Sequence, residues 1–164
     1  MQTDLALGAA IRPSPTEGCA ACETQAFELC AACRRCRCHR HDGCERDLNC
    51  VFCRIASQEA PATVVRDWGD VLAIRPRGGV HPGHTLVMPC THVSDAGTRP
   101  EVTARTMECA AALAAQLPAA NIITSKGAAA TQTVWHLHLH VVPRADGDGL
   151  PLPWTPQQTT EGTR

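Results

Sequence analysis

The sequence is poor in lysine, in aromatic side chains and in long apolar runs. Lys126 is the only lysine, tyrosine is absent, and aromatics make up 3% of the 164 residues. No stretch reaches the roughly 18 consecutive apolar residues that span a bilayer, which sets a membrane role aside. Basic charge is not in excess either, since the formal net charge is -1. A dedicated phosphate-backbone binder needs many uncompensated cations, so that class is disfavoured as well. Met1 to Ile11 carries Asp4 and no Lys or Arg, which does not read as a secretory signal. The expectation is a cytoplasmic protein, where disulfides rarely persist.

Against these shortages stand 11 cysteines and 8 histidines. An odd number of cysteines, many in Cys-x-x-Cys spacing, reads as metal binding before cross-linking. A hydrophobic content of 44% suffices for one core of ordinary size. Composition shifts near residue 48 and predicts three parts: a Cys/His-rich zinc-binding arm over 1–47, a folded α+β domain over 48–145, and a Pro/Thr-rich tail over 146–164.

The arm holds Cys19, Cys22, Cys30, Cys33, Cys36, Cys38 and Cys44 with His39 and His41, and has little but Phe27 and Leu29 to pack. Such a segment cannot offset its ordering entropy without metal. Cys19-x-x-Cys22 followed by Cys33-x-x-Cys36 is the strongest zinc signal, with an iron–sulfur cluster as the alternative. Arg34, Arg35, Arg37 and Arg40 raise nucleic-acid contact through the arm. Nearby acids such as Glu23, Glu28, Asp42 and Glu45 largely cancel them, and no aromatics are interleaved for base stacking.

In the domain, Thr63–Val65, Asp70–Ile74 and His84–Met88 read as strands, with a Pro/Gly-rich loop between Pro76 and Gly83. Thr98 is the expected N-cap of an Ala-rich helix that begins near Pro100, ends before Pro118 and buries Val102, Met107, Ala111 and Ala114. Asn121–Thr124 and Thr133–Val142 read as two further strands joined by a turn over Lys126–Ala130.

The second of these strands contains His136-Leu137-His138-Leu139-His140. Alternate side chains of a strand share a face, so the three imidazoles point one way and the leucines the other. Three core-facing imidazoles would each need a polar partner, which makes them costly as filler. The outer pair would lie about 13 Å apart, too far for one ion to take both through bonds of about 2.0 Å. Divided roles follow, one end histidine binding metal and the others doing chemistry.

Four segments occur in order: Cys50-Val51-Phe52-Cys53-Arg54-Ile55, Pro82-Gly83-His84-Thr85-Leu86-Val87-Met88-Pro89, Thr91-His92-Val93, and His136-x-His138-x-His140. Over residues 49 to 145 the chain thus resembles the histidine triad (HIT) family, in the branch that carries a structural zinc. The resemblance implies an α+β fold with a mainly antiparallel sheet and one main helix, a homodimer, and attack on the α-phosphate of a nucleotide. His138 matches the nucleophile, which forms a nucleotidyl-histidine that water hydrolyses. His140 and His84 match its supporting histidines, and His at 140 favours hydrolysis over nucleotidyl transfer. Cys50, Cys53, His92 and His136 match the zinc ligands, with a redox Cys-x-x-Cys as the alternative reading of the first two. Val51, Phe52, Ile55, Ile74 and Leu86 match the base pocket, although Ile55 and Leu86 serve equally as plain core. Ser125, Gly127, Gln132 and Thr133 fall on the phosphate turn.

Three positions depart from the family pattern. Pro76 stands where the ribose-binding Asp is expected, Ser125 replaces an Asn, and Thr131 replaces a Gly. Arg75 or Arg77 is the candidate to compensate at the ribose. The expected activity is hydrolysis of nucleoside phosphoramidates, adenylylated compounds or dinucleoside polyphosphates. The alternatives are removal of 5′-adenylate from nucleic acid gripped by the arm, and a weakly catalytic nucleotide-binding regulator.

Overall fold

The computed structural model describes residues 46–151. The arm ligands Cys19, Cys22, Cys33 and Cys36 lie outside the described residues, as does most of the tail. Elements follow in the order α1 (Val51–Ala56), β1 (Val64–Asp67), β2 (Val71–Ile74), β3 (Thr85–Pro89), α2 (Pro100–Ala114), β4 (Ala120–Ile123) and β5 (Leu139–Pro143), with a single 3-10 turn at Ala128–Ala130 between the last two. The five strands form one sheet in the order β1-β2-β3-β5-β4, and every neighbouring pair is antiparallel. The class is α+β with one main helix, as the sequence predicts. Among the described residues no helix is long and apolar enough to cross a membrane.

β2 and β3 are buried on both faces, which explains why they read as unbroken apolar runs and not as alternation. One face packs on α1: Phe52, Ile55, Leu72, Ile74, Leu86 and Met88 form that cluster together with Cys50 and Cys53. The other packs on α2, where Val71, Ala73, Val87, Leu139 and Val141 meet Cys109, Ala110 and Leu113. Cys90 and Cys109 are both buried.

Three sequence expectations need correction, and one short helix is additional to them. The buried face of α2 is Thr106, Cys109, Ala110 and Leu113, with Val102 and Ala114 partly covered. Met107 is 39% exposed, and Ala111 is exposed too. Alanines line much of this helix, so its apolar stripe is blurred, and burial of Thr106 is satisfied locally by its hydroxyl donating to the Val102 carbonyl at 2.7 Å. Thr98 is not the N-cap: that position is Arg99, without a side-chain cap, because the Thr98 hydroxyl is paired with Ser94 at 2.8 Å. Helix α1 was not anticipated, being only 6 residues long and uncapped. Finally, β5 begins at Leu139, not at Thr133.

The physical reason for the late start lies in β3. It pairs with β5 only from Thr85 to Val87, and Pro89 has no N–H to extend the ladder. Leu137 instead donates to the Val93 carbonyl at 2.5 Å, and the chain turns at His136, whose N–H reaches Val134 O at 2.9 Å. Alternation survives this irregularity. Leu137, Leu139 and Val141 enter the α2 core, while His136 and His138 meet the Phe52 ring at centroid distances of 5.7 Å and 5.2 Å.

The turn before this segment contains a strained residue. Thr131 sits in the left-handed region with φ 63° and ψ 23°, which a β-branched residue adopts at a cost of roughly 1–2 kcal/mol. Thr131→Gly should therefore raise stability by about 0.5–1 kcal/mol in denaturant unfolding, with Thr131→Ala gaining less. A Gly variant less stable than wild type would show that the turn does not hold this conformation.

Candidate functional site

The structure brings the histidines together at one end of the sheet, where α1, the start of β3 and the segment before β5 converge. His136 is fully buried, and His84 and His138 are nearly so, at 6% and 9% exposure. The His138 ring lies 5.1 Å from that of His140, which lies 5.1 Å from that of His84. Each ring has a defined partner. His138 Nδ1 is 2.7 Å from the His136 carbonyl oxygen, which can only accept, so Nδ1 carries the proton and Nε2 keeps its lone pair.

His84 and His140 are fixed by the same reasoning. Val80 N–H donates to His84 Nδ1 at 3.3 Å, which leaves the His84 proton on Nε2. That proton is shared with His140 Nδ1 at 2.9 Å, so His140 carries its own proton on Nε2. Burial lowers the pKa of His138, and burial followed by the charges of Arg75 and His81 lowers that of His84. His140 is pushed down to about 4 by burial, then by its neighbours His138 and His84. All three are neutral near pH 7, the form in which an imidazole can act as a nucleophile.

A depressed histidine pKa also ties stability to pH. Between pH 6.5 and about 4 the unfolded chain binds a proton at His140 that the folded chain refuses. The contribution is present above pH 6.5 and is lost as pH falls through that window, amounting to about 3 kcal/mol. Denaturant titrations at pH 7.5 and 4.5 should show wild type losing about that much more stability than His140→Gln. Parallel losses in the two proteins would refute this placement of His140.

Beside the histidines lies a second cluster. The ligand atoms of Cys50, Cys53, His92 and His136 all fall within 4.8 Å of one another. Cys50 Sγ is 3.4 Å from His136 Nδ1, and Cys53 Sγ is 3.3 Å from His92 Nδ1. A tetrahedral ion with bonds of 2.0–2.3 Å needs its ligands about 3.3–3.8 Å apart, which these spacings meet. The Cys50 thiol is held well below its ordinary pKa, chiefly by its hydrogen bond with Cys53, while the same sharing and burial push Cys53 up. One proton is thus shared inside a buried pair, the arrangement that a divalent cation relieves. His136 Nε2 donates to the Pro89 carbonyl at 3.0 Å, which turns Nδ1 toward the sulfurs. The donor set therefore fits a closed structural metal site.

The other expected residues lie around this centre. Phe52, Ile55, Ile74 and Leu86 are buried within one apolar cluster, whereas Val51 is 39% exposed. Gly127 has φ 87°, a value that glycine adopts without strain. Gln132 is buried, accepting from Gly127 N–H at 2.8 Å and donating to the Ser94 carbonyl at 2.6 Å and the Val134 carbonyl at 3.1 Å. Its amide is fully used on backbone, so it clamps the turn from within. Ser125 is half-buried and Thr133 exposed. Gly83 explains itself by contact: a Cβ there would lie 2.6 Å from Pro143 Cγ.

Several contributors escaped the sequence reading. Thr124 Oγ1 donates to the His138 carbonyl at 2.9 Å. Asp95 is nearly buried, accepts from Gly97 N–H at 2.8 Å and lies 3.6 Å from Lys126 Nζ. Only the Asp-x-Gly turn signature of Asp95-Ala96-Gly97 could have flagged it.

A five-stranded antiparallel sheet carrying three clustered histidines at its end, beside a Cys2His2 cluster whose spacing fits a metal ion, defines an α+β histidine-cluster protein. The model of the HIT domain matches residues 57–147, and the chain belongs to the HIT family. An uncharacterised HIT-like protein of Mycobacterium tuberculosis is 43% identical over 110 residues, which cover 63% of this chain and 76% of the relative. A zinc-bound histidine triad protein from Mycobacterium smegmatis superposes with a TM-score of 0.60 at 38% identity, covering 67% of this chain and 85% of that one. The adenosine 5′-monophosphoramidase of Saccharomyces cerevisiae is 28% identical over 117 residues, 69% of this chain and 74% of the yeast protein.

Proposed function

We propose that the protein is a nucleotide hydrolase that cleaves at the α-phosphate of nucleoside phosphoramidates or related adenylylated compounds. The observation that carries this reading is the His138 Nδ1–H···O=C His136 bond of 2.7 Å, which leaves Nε2 as a neutral nucleophile. Attack forms an Nε2–P bond and breaks the bond from phosphorus to the leaving group. Water then attacks phosphorus, releases the nucleotide and restores the imidazole. Over the cycle the water oxygen ends on phosphate and its protons on the products.

The remaining residues bind and orient. His140 Nε2–H donates to a phosphate oxygen, with His84 holding it in that tautomer. Val51, Phe52, Ile55 and Ile74 supply an apolar wall for the base. The turn over Ser125, Gly127 and Thr133 cradles phosphate, and Gln132 positions that turn. Cys50, Cys53, His92 and His136 hold a structural zinc, supported by the zinc-bound relative. The homodimer belongs to the same proposal: β4 is an edge strand, and Ile123 on it is 39% exposed.

Quenched single turnovers with adenosine 5′-phosphoramidate test the chemistry. The expected result is AMP release preceded by an adenylyl adduct on the protein that survives alkali and is lost in acid, as a P–N bond is. Binding of nucleotide with neither adduct nor AMP release would overturn the hydrolase reading and leave a nucleotide-binding regulator.

A further inference from the structure

Next to His84 lies a cleft of about 470 Å³ between the end of β2 and the start of β3, lined by residues that include Arg75, Pro76, Val80, His81 and His84. No carboxylate lines it. Arg75 Nη1 donates to Thr85 Oγ1 at 3.0 Å and to the His84 carbonyl at 3.3 Å, which leaves Nε and Nη2 as further donors. No acid among the described residues pairs with this half-buried guanidinium. His81 Nδ1 accepts from Gly83 N–H at 3.0 Å, so Nε2–H remains to donate. The cleft therefore offers donors and positive charge with no anionic counterpart, the setting of an anion site. The depressed pKa of His84, lowered in part by Arg75 and His81, reports the same uncompensated field.

The sheet order relates this anion to the parts of a nucleotide once the leaving group is taken to point toward the Gly127 turn. β2 and β3 flank the cleft, the turn over Gly127 leads from β4 toward β5, and His138 lies between them. A nucleotide with its α-phosphate at His138 and its leaving group toward the Gly127 turn places its sugar on the β2–β3 side. We infer that the Arg75–His81 cleft binds a phosphate monoester carried on the sugar of the nucleotide, at its 2′ or 3′ position. This rests on the nucleotide reading above and names the substrate class: nucleotides bearing a second phosphate on the sugar. A free sugar diol gains less here, since its neutral hydroxyls accept from Arg75 and His81 without charge on the acceptor and find no side-chain carboxylate to donate to.

Equilibrium binding to the full chain tests this without requiring turnover. The probes are AMP, adenosine 2′,5′-bisphosphate and adenosine 3′,5′-bisphosphate. Wild type should bind at least one bisphosphate roughly 10- to 100-fold more tightly than AMP, as two charge-assisted contacts provide. The 2′ and 3′ arms decide which sugar oxygen carries the ester. Arg75→Gln and His81→Asn, which keep a donor to Thr85 and an acceptor for Gly83 respectively, should each shrink that ratio at least about 5-fold, and raised salt should shrink it in wild type. Equal affinity of wild type for AMP and both bisphosphates, or a preference that survives both substitutions, overturns the assignment while leaving the hydrolase reading intact. Failure to bind any of the three nucleotides defeats both.

Discussion

Replacing His138 with alanine should lower turnover of adenosine 5′-phosphoramidate by at least about 10³-fold, the scale on which loss of an enzymic nucleophile acts. The nucleotide should still bind, because the apolar wall and the phosphate turn are untouched. The variant should also retain its metal, since Cys50, Cys53, His92 and His136 all remain. His140→Gln and His84→Gln should fall by smaller factors, of about 10- to 100-fold, because each orients or donates without forming the covalent bond. The double variant of His84 and His140 should lose less than the product of the single losses, because the 2.9 Å bond between these rings makes them one unit. The decisive comparison is adduct formation. If His138→Ala still forms the adenylyl adduct, or turns over within tenfold of wild type, His138 is not the nucleophile and the tautomer argument fails.

Much of this site could be read before any coordinates, and the reason is chemical economy. Three histidines at alternate positions cannot be satisfied cheaply in a core, so His136, His138 and His140 announce a site on their own. The Cys50-x-x-Cys53 pair likewise has few uses other than metal binding or redox chemistry. The parts that escaped are those made by backbone. Nothing in the sequence tells that Val80 N–H meets His84, that Thr124 reaches the His138 carbonyl, or that Gln132 exhausts its amide on three backbone groups. These contacts depend on where loops settle after the sheet forms. Fold class was legible because β2, β3 and β5 have short β-prone runs with clear punctuation. The start of β5 was not, because side-chain alternation persists through residues whose ladder bonds have already been diverted to Val93.

Withdrawing the metal should affect both stability and chemistry, and by more than any single-residue core change. Its four ligands join the start of α1, the segment after β3 and the approach to β5, and the Cys50–His136 pair spans 86 positions. A cross-link that closes a loop of that size stabilises by about 4–5 kcal/mol through the unfolded state alone. For a domain of this size that corresponds to a fall in Tm on the order of 15–30 °C. Because the arm's cysteines are expected to bind metal of their own, chelation must be compared with a Cys50→Ser/Cys53→Ser variant of the full chain. That variant should hold fewer equivalents of zinc than wild type and melt within a few degrees of chelated protein. Turnover should fall with stability still sufficient for folding, since the His136 carbonyl that holds His138 Nδ1–H at 2.7 Å belongs to a metal ligand. The loss should appear in kcat more than in KM, because the nucleophile's orientation is disturbed while the base wall and phosphate turn persist. A double-serine variant that melts within about 3 °C of wild type would remove the structural metal from this account. Full loss of stability with unchanged kcat at low temperature would break the link between metal and nucleophile and leave the site a staple only.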